Sequence, residues 1–127
     1  MAEPTVYGIS SCDQVRAARR WLKHHGVQYD FVDLKLNPPH LDKLREWLNR
    51  IPYDSLLNRR GLTWRALPED RRRGVVDQAS ALELLAENPL LIKRPVLEWE
   101  QELLVGFSES LYAGLGLDRH HDSTSIS

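Results

Sequence analysis

Short apolar runs and helix-spaced apolar positions follow one another along the chain in a recognisable order. Thr5-Val6-Tyr7-Gly8-Ile9 is β-branched and aromatic, bounded by Pro4 and Ser10-Ser11, and predicts a short buried strand. From Asp13 to His25 the period lengthens. Val15, Ala18, Trp21/Leu22 and His25 recur at helical spacing, with Arg16, Arg19, Arg20 and Lys23 on the opposite face. Gly26 is a natural helix stop. Tyr29 to Leu34 then alternates apolar and polar residues, which predicts a second strand. Strand, helix and strand within about 30 residues make a βαβ unit, with parallel strands and a right-handed crossover.

Asn37-Pro38-Pro39 breaks the pattern. His40 to Ile51 is again helical, with Leu41, Leu44, Trp47/Leu48 and Ile51 on one side, and Tyr53 to Leu57 adds a further turn after Pro52. Asn58 to Gly74 reads as an arginine-rich loop, in which Arg71-Arg72-Arg73 is expected to be a solvated face. Asp77 to Glu87 is a helix, with Ala79 or Ser80 near its start and Asn88-Pro89 at its close. Val96 to Trp99 and Leu103 to Phe107 pair as an antiparallel hairpin about a three-residue polar turn. Ser108 is placed to cap a last helix, Glu109 to Leu115. Beyond Leu117 the tail DRHHDSTSIS is polar and aperiodic and is expected to be disordered. The order βαβ, helices, ββα predicts an α/β, thioredoxin-like fold. It would form a single domain over residues 1–117, with a helical insertion, about 38–89, between the second and third strands.

Composition narrows the function classes. The chain has 127 residues, 42% hydrophobic and 28% charged, which fits one globular domain and excludes a disordered chain. A net charge of −1 leaves no bulk electrostatic footprint for nucleic acid or for a membrane surface. The start MAEPTVYGIS lacks the basic and apolar regions of a signal peptide, and the apolar runs are too short to span a bilayer. A cytoplasmic location is expected, with neither nucleic acid nor membrane among the partners. The adjacent pairs His24-His25 and His120-His121 have no second cysteine to complete a zinc set, so no metal site is expected.

Cys12 is the only cysteine, so it cannot form an internal disulfide. A lone cysteine is commonly a small buried hydrophobe. The stretch GISSCDQVR, however, puts Cys12 at the junction of the first strand and first helix. There the unpaired N–H groups and the positive end of the helix dipole favour an anion, and the thiolate is the nucleophilic form of cysteine. Reactive groups in open α/β sheets also gather outside the carboxyl ends of the strands. Arg16, Arg59, Arg60 and Arg94 are the cations nearest in pattern, and Arg94-Pro95 stands at the entrance to the third strand, where the bond can be cis or trans.

Cys12 and Arg16 as Cys-x-x-x-Arg, Arg94-Pro95 before the third strand and the helical insert together resemble the arsenate reductase (ArsC) family. LLNRRGLTWR (residues 56–65), LIKRPVL (91–97) and LVGFSESLY (104–112) resemble its YffB branch. The resemblance covers about residues 4–116. It implies that Cys12 is the nucleophile, that Arg60 and Arg94 hold an anion, with Arg59 competing for the place of Arg60, and that Pro95 is a cis-proline. Ser11 and Arg16, beside the nucleophile, join the same site. Two departures stand out: Gly8-Ile9-Ser10 replaces the His-Asn-Pro of arsenate enzymes, and Phe107 stands at their third arginine. Losing one charge-assisted contact to an oxyanion costs on the order of 1.5–3 kcal/mol. The resemblance therefore implies first a glutathione-dependent thiol reductase, with glutathione as co-substrate and no tightly bound cofactor. Its alternatives are arsenate reduction linked to glutathione and glutaredoxin, or an Spx-like regulator that binds RNA polymerase. Spx regulators typically carry Cys-x-x-Cys, and Val15 stands at the second position here. The implied partners are glutathione, or another small thiol or oxyanion, and glutaredoxin.

Overall fold

The computed structural model describes residues 3–117. In chain order the elements are β1 (Thr5–Gly8), α1 (Asp13–His24), β2 (Asp30–Asp33), α2 (Leu41–Arg50), α3 (Tyr53–Leu56) and α4 (Leu62–Arg65). They continue with α5 (Glu69–Arg73), α6 (Gln78–Glu87), a 3-10 turn at Pro89–Leu91, β3 (Val96–Trp99), β4 (Glu102–Val105) and α7 (Glu109–Ala113). The chain divides into two compact units, Met1–Val32 with Arg94–Ser127, and Asp33–Lys93. The second contains the whole of the expected insertion and a few residues on either side. The expected disordered tail lies outside the described residues.

In the first unit the sheet order is β2-β1-β3-β4, the thioredoxin-like arrangement. The Asp30 N–H donates to the Pro4 carbonyl at 2.9 Å, which sets the first residue of β2 beside the start of β1, so these two strands run in the same direction. β3 is antiparallel to β1, with Val6 opposite Leu97, and β4 is antiparallel to β3, with Leu97 opposite Leu104. One face of the sheet meets α1 and α7 in a core of Val6, Ala18, Trp21, Leu22, Leu97 and Tyr112. Burying each large side chain of that kind contributes roughly 1.5–3 kcal/mol.

The amphipathic period carries α1 to His24, and a Schellman motif stops it. The Val27 N–H donates to Leu22 O at 2.9 Å and the Gly26 N–H to Lys23 O at 3.1 Å, while Gly26 takes φ 70°. Arg19 pins the helix to β2, its Nε donating to the Tyr29 hydroxyl at 2.9 Å and its guanidinium lying 4.0 Å over the Phe31 ring. The β3–β4 turn closes in two residues, Glu100-Gln101, and not the three expected, because Trp99 pairs with Glu102 and Glu100 accepts φ 55°. At its other end β4 stops at Val105, two residues before Phe107, where Gly106 turns the chain at φ 86°. Ser108 caps α7 as expected, its Oγ accepting from the Leu111 N–H at 3.1 Å.

In the second unit α2 buries Leu44, Trp47 and Leu48, and α6 buries Ala81, Leu84 and Leu85. The helix expected from Asp77 is present as α6, with Asp77 its N-cap in a capping box with Ser80. Hydrogen bonding to the backbone and hydroxyl of Ser80 holds the Asp77 carboxyl below the usual carboxylate range. The arginine-rich segment is not an open loop, since α4 and α5 lie within it. Side chains hold these short helices where periodicity is silent. The Arg72 guanidinium donates to Arg65 O at the end of α4 (3.1 Å), Arg73 pairs with Glu69 at 2.5 Å, and Arg71 pairs with Glu87. The Glu87 carboxylate raises the Arg71 pKa further. Arg71 and Arg73 are exposed, as expected of a solvated face, and each member of the run also has a partner within the chain.

Candidate active site

The register of the sheet decides which chain segments meet at one end of it. Tyr7 lies opposite Val96, and Val96 opposite Val105. Continuing both registers by one position aligns Gly8, Pro95 and Gly106 in a row, and the Gly106 N–H donates to Pro95 O at 2.8 Å. From this row leave the Ile9–Cys12 loop, after β1, and the Phe107 loop, after β4; Arg94 enters it through a cis Arg94-Pro95 bond. Cys12, Ser11, Arg16, Arg94 and Pro95 thus all belong to the unit that carries the sheet, and the segments bearing them converge on one edge.

Cys12 is the N-cap residue of α1, with extended backbone (φ −79°, ψ 128°) and no side-chain capping bond. Its N–H donates to Ile9 O at 3.1 Å and its carbonyl accepts from the Arg16 N–H at 3.0 Å, so the turn into the helix holds its backbone on both sides. The residue is half-buried. The first N–H groups of a helix have no intrahelical acceptors, and the dipole places positive potential there. Arg16, one turn on, is paired with Asp13 across that turn, both largely exposed. Ser11 is exposed. Arg94 is half-buried and its Nε is fully so.

Arg60 belongs to the other unit, where its N–H donates to Asn58 Oδ1 at 3.0 Å and its guanidinium is exposed. Arg59, its competitor in the alignment, is already committed. It pairs with Asp54 at 2.5 Å and lies 5.5 Å over the Trp64 ring. Arg60 is therefore the better candidate of the two for an incoming anion. Among the described residues no group of three His, Cys, Asp or Glu gathers as a metal site would require, and no helix is long and apolar enough to cross a membrane.

Two supporting residues escape a reading of the sequence by residue type. Gln14 accepts a hydrogen bond from the Phe107 N–H (3.3 Å), tying the β4–α7 loop to the first turn of α1. Gly8 lets that helix approach the sheet, because a Cβ there would lie 2.5 Å from Val15 Cγ2. The second has a faint sequence signal, a glycine closing a strand otherwise rich in side chain; the first has none.

This arrangement has solved counterparts. The YffB protein is 41% identical, with a TM-score of 0.83 over 87% of this chain and 96% of its own. An arsenate reductase (ArsC) related protein from Brucella melitensis is 44% identical, with a TM-score of 0.72 over 89% and 93%. The global transcriptional regulator Spx of Listeria innocua is 32% identical over 107 residues, 83% of this chain and 80% of the regulator. Residues 7–115 match the ArsC family along nearly the whole described length, and the chain belongs to that family.

Proposed function

We propose that the protein is a thiol-disulfide reductase that works through the single thiolate of Cys12 with glutathione as co-substrate. The observation that carries this reading is the placement of Cys12, a half-buried residue at the N-terminus of α1 whose side chain forms no capping bond. In the first step the Cys12 thiolate attacks the glutathione sulfur of a mixed disulfide R–S–S–G, where G is glutathione. A Cys12–S–S–G bond forms and R leaves as its thiolate, which takes a proton from water. A second glutathione thiolate then attacks the glutathione sulfur, releasing oxidised glutathione and regenerating the Cys12 thiolate. The protein undergoes no net redox change: RSSG and one glutathione thiol give RSH and oxidised glutathione, so one free glutathione is oxidised for each mixed disulfide reduced. An external thiol is required because the chain holds one cysteine.

Arg94 and Arg60 are proposed to hold the carboxylates of the tripeptide, for which a planar guanidinium fork is suited; Arg16 and Ser11 flank the thiolate, and Pro95 lines its edge. Glutaredoxin would enter the same exchange chemistry as a reductant of the mixed disulfide. A cytoplasmic, reducing location suits a free thiol of this kind.

The Brucella relative is named for arsenate reduction, and that activity is the second reading. Phe107 weighs against it, since an apolar side chain stands where the resemblance places an oxyanion-binding arginine. Against an Spx-like switch stands Val15, which is fully buried against Gly8 where a second cysteine would be needed. The test is turnover of a small glutathione mixed disulfide by the protein and by Cys12→Ser. Loss of all turnover in Cys12→Ser supports the proposal; equal turnover by both refutes it. Arsenate in place of the disulfide separates the two catalytic readings.

A further inference from the structure

A hollow of about 770 Å³ lies along α1, away from Cys12. Its apolar lining is Ala17, Phe107 and the small exposed part of Trp21, a ring otherwise buried in the core. Tyr112 backs both rings edge-on, at 5.7 Å from Trp21 and 4.8 Å from Phe107. His25 stacks on Trp21 at 3.9 Å, and its Nδ1 is 2.9 Å from Trp21 O. A carbonyl only accepts, so Nδ1 carries the proton and the ring is fixed. The wall is therefore preorganised, which lowers the cost of binding.

The rim is cationic. Arg20 and Lys23 are exposed and line the hollow, with His24 beside them, and Glu109 is the one carboxylate in the lining. Elsewhere on the same helix Arg16 is taken by Asp13, and Arg19 by Tyr29 and Phe31. Gln14, Ala17, Trp21 and His24 fall at helical spacing on one face, so the face that bears the hollow runs back to the first turn, where Cys12 sits. At 1.5 Å per residue His24 lies about 18 Å along the axis from Cys12. Three extended residues span only about 10 Å, whereas five or six cover that distance. Glutathione bound through Cys12 would leave the hollow empty; a longer peptide would reach it.

We infer that the hollow docks an acidic segment, carrying an apolar side chain, of a protein whose glutathionylated cysteine meets Cys12. This rests on the thiol-exchange reading and names its substrate class. Glutamates or aspartates of the segment meet Arg20 and Lys23, and an apolar side chain seats on Phe107 beside the exposed rim of Trp21.

The experiment compares two thirteen-residue peptides, each with a central S-glutathionylated cysteine, six residues on either side and one phenylalanine, the first with glutamates on both flanks and the second with glutamines. Deglutathionylation of the glutamate peptide is expected to show kcat/KM about tenfold higher, the scale of two rim charge pairs. In Arg20→Gln/Lys23→Gln the ratio falls to about one, and in Arg20→Glu/Lys23→Glu it falls below one. Equal use of both peptides by the unaltered protein, or a preference that survives in the double variants, overturns the inference. If neither peptide is turned over, the thiol-exchange reading fails, and docking is decided separately by amide shifts on titration with the glutamate peptide bearing serine for cysteine. Shifts confined to residues 20–25 and 107, absent in the double variant, support docking; their absence from the unaltered protein overturns it.

Discussion

The carboxylate of Asp13 and the guanidinium of Arg16 form an ion pair across the first turn of α1, immediately after Cys12. Asp13 therefore places a negative charge where the helix end would otherwise offer only positive potential to the sulfur, and it occupies the cation nearest in sequence. Asp13→Asn removes that charge and frees Arg16. The rate of Cys12 alkylation by iodoacetamide at pH 7 is expected to rise roughly two- to fivefold, the range set by single charges at helix ends. An unchanged or lower rate would mean that Asp13 does not oppose the thiolate.

Gly8 and Val15 make the close approach that seats α1 on the sheet. With a Cβ at 2.5 Å from Val15 Cγ2 and 3.0 Å from Cγ1, Gly8→Ala forces the helix outward, because a β-branched side chain has no slack rotamer. Overpacking of this kind costs about 1–3 kcal/mol. Since Cys12 caps the displaced helix, its reactivity should fall with stability, whereas Gly8→Ala/Val15→Ala should recover both in part. Chemical denaturation with parallel alkylation rates checks it.

Tyr112 is fully buried, and its hydroxyl has no hydrogen-bond partner among the described residues. Tyr112→Phe removes a desolvated polar group and keeps the ring contacts, so thermal stability at pH 7 should be equal or higher, by up to about 1 kcal/mol. Burial pushes the phenol pKa up from its ordinary value of 10.0. The unfolded chain then loses this proton first as pH rises, so stability is intact below pH 10 and declines above it. Tyr112→Phe should flatten that alkaline decline. A lower melting temperature at pH 7 would mean that the hydroxyl is satisfied.

Asp77 caps α6 as a carboxylate whose pKa is held down by Ser80. A depressed folded pKa stabilises above the unfolded value of 3.8 and stops doing so as pH falls through the folded one. Asp77→Ala should therefore lower the melting temperature at pH 7, with the gap to the unaltered protein narrowing below pH 4. A gap independent of pH would assign the effect to helix propensity alone.

Legibility followed physical range. Strands and long helices were readable because periodicity is local: Val15, Ala18 and Leu22 mark the buried face of α1, and Ser108 and Gly26 mark element ends by their own chemistry. The short helices α4 and α5 were not readable, since they are stabilised by contacts such as Arg72 to Arg65 O and Arg71 to Glu87. At the site, Cys12 and Arg94-Pro95 were visible by residue type. Gln14 and the aromatic wall around Trp21 were not, because they act through partners 93 and 91 positions away.

The most direct test of the thiol chemistry is mass spectrometry of the protein mixed with oxidised glutathione at pH 7, followed by reduced glutathione. The account predicts one glutathione added at Cys12, faster than to free cysteine, and removed again by the reduced thiol. Absence of the adduct, or formation no faster than on free cysteine, would contradict it.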